Sequence, residues 1–207
     1  MKKILICMMM GFTVAAVQAV TPLWLRDVQI SPDGQSIAFC YKGDIYKVSV
    51  QGGNAVQLTT QDSYECNPIW SPDSKSIAFA SDRNGNFDIF VMPANGGSAK
   101  KLTSNSVSEL PSAFTPDGKQ VVFSAAIQDP AKSALYPTTS MTELYQVPVV
   151  GGRTTQIIAT PAEAVCYTTD GKSFLYQDRK GFEDEWRKHH TSSVTRDIWL
   201  YDAKTGK

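Results

Sequence analysis

The stretch "IWSPDSKSIAFASDRNGNFDIF", from Ile69 to Phe90, is one version of a pattern that the chain writes four times. Set on a shared aspartate, the versions read "QISPDGQSIAFC", "IWSPDSKSIAFA", "AFTPDGKQVVFS" and "YTTDGKSFLYQ". The aspartates are Asp33, Asp73, Asp117 and Asp170, at steps of 40, 44 and 53 residues. Four residues past each stands Ile37, Ile77, Val121 or Phe174, and six past it Phe39, Phe79, Phe123 or Tyr176. A second block opens on an acid: "DIYKVSV" at Asp44, "DIFVMPA" at Asp88, "ELYQVPV" at Glu143 and "DIWLYDA" at Asp197. In the first three copies a Gly-Gly pair begins eight residues later, at Gly52, Gly96 and Gly151. A repeat of this period constrains the fold before composition does, because each unit must bury its faces against the next.

Each copy reads as four short strands. The first ends at a Ser/Thr-Pro-Asp turn, where proline presets φ and the aspartate bonds back to the chain. The second is the alternating run typified by Ser76-Ile77-Ala78-Phe79-Ala80, with large residues on one face and small ones on the other. The third starts at the acid, and the Gly-Gly turn supplies positive φ before a short "QLT"-type strand. Sheets of large-on-small alternation stack face to face, and four-stranded units of 40 to 45 residues are the signature of a β-propeller. No sustained 3.6-residue rhythm supports a helical solenoid; a β-sandwich with accidental similarity is the competing arrangement. The fold class is therefore all-β, a partial propeller of about three and a half to four four-stranded antiparallel blades. The blades span roughly 23–60, 64–104, 108–158 and 162–207, the last incomplete. Thr205-Gly206 stands where a Gly-Gly pair belongs and no closing strand follows, which leaves an edge and an apolar face without a neighbour. The expectation is the first part of a longer chain or a truncated reading frame, with self-association of two such arcs into a homo-oligomer as the alternative.

Ahead of the repeats lies a segment of another kind. Lys2 and Lys3 precede an apolar run from Ile4 to Val17, and Val17-Gln18-Ala19 offers a small-x-small cleavage site. Residues 1–19 thus read as a secretory signal cut after Ala19, with a buried N-terminal helix as the alternative, and 20–207 as a periplasmic or secreted propeller segment. The run is too short for an anchored span, and no second apolar segment could cross a membrane. Twenty basic residues balance twenty acidic ones, so a nucleic-acid partner has no electrostatic footprint. Cys40, Cys66 and Cys166 remain after processing, without Cys-x-x-Cys or Cys/His spacing. They are expected to be small buried apolar side chains and not a disulfide framework.

Strands alternate in direction, so the second-to-third loop and the loop into the next blade share a face, opposite the two tight turns. From the aromatic ending strand two to the acid opening strand three, the gaps are 5, 9, 20 and 21 residues. Growth on one face of a rigid scaffold points to contacts at Ala125–Thr142 and Asp178–Arg196. The second of these carries Glu183, Asp184, Glu185, Trp186, Arg187, His189 and His190, a candidate surface for a peptide or a partner domain. The competing reading is a solvated or domain-packing loop with locally paired charges. Adjacent His189 and His190 do not converge on a metal, and no third ligand is placed. "DRNGNFD" (Asp82 to Asp88) has Phe87 where a calcium loop needs glycine, and a hairpin turn at Asn84-Gly85 explains it better. "DGKS" at Asp170–Ser173 lacks the earlier glycine of a phosphate loop, where Cys166 stands. With no Gly-x-Ser-x-Gly or His-Glu-x-x-His present, no catalytic, cofactor or metal residue is assigned.

The repeats "SPDGQSIAF…GDIYKVSVQGG…QLT" and "WSPDSKSIAFASDRNGNFDIFVMPANGG…KLT", with "YQDRKGFEDEWRKHHTSSVTRDIWLYD", resemble the N-terminal propeller of bacterial tricorn-type serine peptidases. The resemblance runs from about Leu23 to Lys207. TolB and the propellers of prolyl-oligopeptidase-like peptidases share the repeat units; the long fourth-blade loop is the more specific part. TolB fits less well, because it carries an α/β domain before its propeller. The resemblance implies a PDZ domain and a tail-specific-protease-like core in the same polypeptide, with catalytic serine and histidine outside this chain. It implies a non-catalytic propeller serving peptide access, whose partners are peptides or downstream domains. The alternatives are a stand-alone binding or scaffold module of the cell envelope, and the propeller of a prolyl-oligopeptidase-like enzyme.

Overall fold

The computed structural model describes residues 24–127, 141–178, 196–202 and 205–206. Among them the secondary structure is entirely strand, in four antiparallel sheets that follow chain order. The first sheet is β1 (Arg26–Ile30), β2 (Ser36–Tyr41), β3 (Asp44–Ser49) and β4 (Val56–Gln57). The second is β5 (Glu65–Trp70), β6 (Ser76–Ser81), β7 (Asp88–Pro93) and β8 (Lys100–Lys101). The third is β9 (Glu109–Phe114), β10 (Gln120–Ala125), β11 (Glu143–Pro148) and β12 (Thr155–Ile158). The fourth has three strands among the described residues: β13 (Ala162–Tyr167), β14 (Ser173–Asp178) and β15 (Ile198–Asp202). The four sheets are propeller blades, as the repeat period requires. No helix among the described residues is long and apolar enough to cross a membrane.

Side-chain parity on the second strands decides the stacking. Ile77 and Phe79 of β6 share a buried cluster with Ala38 and Ile45 of the first blade. Val121 and Phe123 of β10 pack with Ala78 and Ile89 of the second, and Phe174 of β14 with Val122 and Leu144 of the third. Large residues thus meet the small or branched face of the preceding sheet, each buried Phe or Ile contributing about 1.5–3 kcal/mol. Within blades, register places Phe39 opposite Tyr46, Phe79 opposite Phe90 and Phe123 opposite Tyr145. Each pair is stacked with ring centroids 5.8–5.9 Å apart, a cross-strand contact that adds to simple burial.

The repeated aspartate builds the same turn four times. Asp33 Oδ1 accepts from the Ser31 hydroxyl and the Gln35 N–H, while Ser31 Oγ accepts from Ser36 N. Asp73, Asp117 and Asp170 repeat this with Ser71, Thr115 and Thr168. The hydroxyl, then the backbone N–H, holds all four exposed carboxyls below the ordinary aspartate value. The turn needs a left-handed residue after the aspartate: Gly34, Gly118 and Gly171 supply it, and Ser74 adopts φ +60° in the second blade. Ser74 Oγ accepts from Asp33 N at 3.1 Å, tying two turns together across a blade boundary.

The two ends of the arc differ from the seams inside it. Ile45, Ile89 and Leu144, each one residue after the acid of a third strand, are fully buried by the following blade. Their counterpart Ile198 is 75% exposed, with Leu175, Trp199 and Leu200 also exposed beside it. On the first blade Leu25, Val28 and Ile30 are exposed, whereas Trp70 and Phe114, the counterparts of Ile30, are buried. The cysteines correct one expectation. Cys40 and Cys66 are buried, but Cys166 is exposed, because its side of β13 faces the central cavity and not a neighbouring sheet.

Candidate functional site

The first strand of each blade is the innermost. β1 packs against β5, β5 against β9 and β9 against β13, so four edge strands surround one axis. Between them lies a cavity of about 440 Å³ to which every blade contributes, through Asp27 and Gln29, Asn67, Leu110 and Ser112, and Glu163 and Cys166. Each inner strand breaks register against its second strand: between Arg26 and Gln29, Cys66 and Ile69, and Glu163 and Cys166, with a further break opposite Val122 and Phe123 in blade three. These are β-bulges. Asp27, Asn67 and Ala164 sit in them at φ 50°, 51° and 56°, a left-handed conformation that costs a non-glycine residue roughly 1–3 kcal/mol. Pro111 occupies the corresponding place in the third blade, and its ring forbids positive φ; the structure moves the extra residue on to Ser112.

Hydrogen bonds stitch the inner wall from blade to blade. Asn67 N donates to Asp27 Oδ2 at 3.1 Å, and Trp70 Nε1 donates to Gln29 O at 3.2 Å. Behind this wall, burial first and the Asp27 charge second push the Cys66 thiol up to about 12, and raise the Cys40 thiol as well. Both stand as thiols at neutral pH, so neither offers a nucleophilic thiolate. A second cavity, of about 490 Å³, opens beside the first blade among Trp24, Arg26, Tyr41, Lys42 and Tyr64.

The candidates named from sequence, Glu183, Asp184, Glu185, Trp186, Arg187, His189 and His190, lie outside the described residues. The base of their loop is described. Asp178 accepts from Asp197 N at 2.7 Å and from Trp199 Nε1 at 3.1 Å. The Arg196 guanidinium meets Glu163, a cavity-lining residue, at 2.6 Å. Arg196, where the described chain resumes after the loop, is therefore tied to the rim of the central cavity. Sequence reasoning passed over the inner-strand residues themselves, since Asp27, Asn67 and Ala164 share no residue type. Their common signal is position, four residues before the end of the first strand's turn approach at Ser31, Ser71 and Thr168.

The sequence from residue 22 to 207 matches the model of the tricorn protease N-terminal β-propeller domain. The chain belongs to this family. Among solved structures it is similar to a putative TolB from Agrobacterium tumefaciens, with a TM-score of 0.70 and 18% identity, covering 90% of this chain and 61% of that one. It is similar to the tricorn protease, with a TM-score of 0.64 and 12% identity over 88% of this chain and 22% of that one. A puromycin-hydrolyzing peptidase from Mycobacterium tuberculosis has a TM-score of 0.61 at 13% identity, covering 91% and 29%. The chain thus spans less than two thirds of each. A search of curated proteins returns no match.

Proposed function

We propose that this propeller is the exported, non-catalytic part of a tricorn-like serine peptidase, and that its central cavity admits or orients extended peptides for a catalytic core elsewhere in the polypeptide. The observation that carries this reading is the convergence of all four inner strands on one cavity, with the base of the longest loop tied to its rim through Arg196 and Glu163. A cavity walled by polar and apolar side chains, the Asp27 carboxylate, the Glu163 ion pair and edge-strand backbone suits a peptide main chain better than a compact anion. Membership of the tricorn propeller family supports the link to proteolysis, and the Lys-rich start with its apolar run supports export.

The test uses the full polypeptide. Tryptophan at Leu110 or Cys166, both exposed in the cavity wall, should slow hydrolysis of long peptides severalfold and leave small chromogenic substrates unaffected. Equal rates on both substrate classes in both variants would remove the cavity from the path. The mature protein should begin at Val20 when its N-terminus is sequenced from the periplasmic or secreted fraction. Similarity to TolB supports a second reading, a stand-alone binding module of the envelope; a full polypeptide without peptidase activity would favour it.

A further inference from the structure

Two blade seams reuse one glutamate in opposite surroundings. Glu65 opens β5 and Glu109 opens β9, each 21 residues after the acid that opens the preceding third strand, Asp44 or Asp88. Their backbone N–H groups make equivalent bonds, to Gly43 O at 2.7 Å and to Phe87 O at 2.8 Å. Both side chains are completely buried. Glu65 Oε1 receives the Ser63 hydroxyl at 2.5 Å, the Ser81 hydroxyl at 2.8 Å and the Arg83 guanidinium at 3.1 Å. At the same offsets from Glu109 the chain places Val107, Ala125 and Ile127. Ala125 is fully buried and paired with Glu109 in the ladder. Val107 and Ile127 pack on the apolar cluster of the second and third blades.

The groups that do face Glu109 leave its charge without a counterion. From the β8–β9 link, Asn105 Nδ2 donates to Oε1, and the Thr103 hydroxyl near the carboxyl favours its ionised form. Oε2 has no partner. From β7 comes Asp88, also buried, with Oδ1 unpartnered in the same way. The nearby cation, Lys101 of β8, is 2.7 Å from the other oxygen of Asp88. From β10 comes the methyl of Ala125; beyond it, Glu143 of β11 already accepts from Tyr145 Oη and Gln156 Nε2. Among the described residues the seam therefore holds two buried carboxyls and a single ammonium, which is engaged by Asp88. An ionised carboxylate in that position would be buried and uncompensated.

We propose that Glu109 is a proton-binding site of the seam between the second and third blades, keeping its proton to higher pH than an ordinary glutamate, and that loss of its proton loosens that seam on the face that carries the long loops. Burial, with the Asp88 charge adding to it, drives the carboxyl above its ordinary value against the hydrogen bonds of Thr103 and Asn105 and the charge of Lys101. Between the unfolded value and this raised one, the folded chain binds more protons than the unfolded chain. Stability is accordingly full below the ordinary glutamate range and falls as pH rises through the raised value.

Infrared spectra of the full chain at a pH just above the ordinary glutamate range test this directly. The carbonyl stretch of a protonated acid should be present in the wild type and missing from Glu109→Gln. Ile127→Arg, which installs the counterpart of Arg83, should also abolish it by ionising the acid. In thermal melts from about pH 4 to about pH 9, the wild type should lose Tm towards high pH while Glu109→Gln stays nearly flat. An absent acid band in the wild type, or equal pH slopes in wild type and Glu109→Gln, would overturn the proposal. An absent wild-type band overturns the proposal even where a variant does not fold.

Discussion

At the scale of single residues, the repeat acts as its own control. Gly34 and Gly171 hold the same place in their turns at φ 70° and 66°, yet their surroundings differ. A Cβ on Gly34 would meet nothing within 4 Å, whereas on Gly171 it would lie 2.8 Å from Cγ of Pro116 in the neighbouring turn. Gly34→Ala should therefore cost only the left-handed strain, about 1 kcal/mol. Gly171→Ala adds overpacking against a rigid ring and should cost roughly 2–4 kcal/mol in denaturant melts. Equal costs would mean that the turns do not stack as described. Asp33, Asp73, Asp117 and Asp170 were legible in the sequence because a hydroxyl residue stands two before each, with a proline between in the first three copies and a glycine after all but Asp73. Glu65 and Glu109 were missed, although their shared 21-residue offset was there to be read. An acid in a strand reads as surface until the next blade covers it.

At the scale of elements, the fourth strands show how a ladder is completed by a side chain. β4 and β8 are two residues long, and the chain then diverges. The third strand's next N–H finds a threonine in both blades: Ile45 N donates to Thr59 Oγ1 and Ile89 N to Thr103 Oγ1, each at 2.9 Å. Thr103→Val keeps the shape and removes the acceptor, leaving a buried N–H unpaired. It should destabilise by about 1–3 kcal/mol, measurable as faster amide exchange at Ile89. The alternation that marks second strands as buried on both faces was plain from Ile77, Ala78 and Phe79. The bulges of the inner strands were not, because a bulge needs no particular residue: Asp27 and Asn67 tolerate left-handed φ, but Ala164 carries no such mark. The candidate loop was legible as an insertion of unusual composition, while its anchorage depends on Arg196, just before β15, meeting Glu163 of β13, a contact that no spacing rule reveals.

At the scale of the whole molecule, the arc has two apolar ends. Ile198 at one end and Ile30 at the other occupy positions that inner seams bury, and Trp199, Leu200 and Val28 lie exposed beside them. A chain of these residues expressed alone should self-associate through them, since exposed apolar patches of this kind drive association. Light scattering should show larger species, and Ile198→Lys together with Ile30→Lys should return it towards monomer. A monodisperse, cooperatively melting wild-type monomer would show that these faces need no cover.

The bulges of the inner strands carry a last consequence. A smooth sheet edge offers a guest strand a continuous row of hydrogen-bonding sites, and guests zipped along such rows leave slowly. Here the row is interrupted at a similar height in every blade, at Asp27, Asn67, Ser112 and Ala164. A polypeptide laid along this wall would find short footholds and then a gap, so the backbone itself would disfavour long residence.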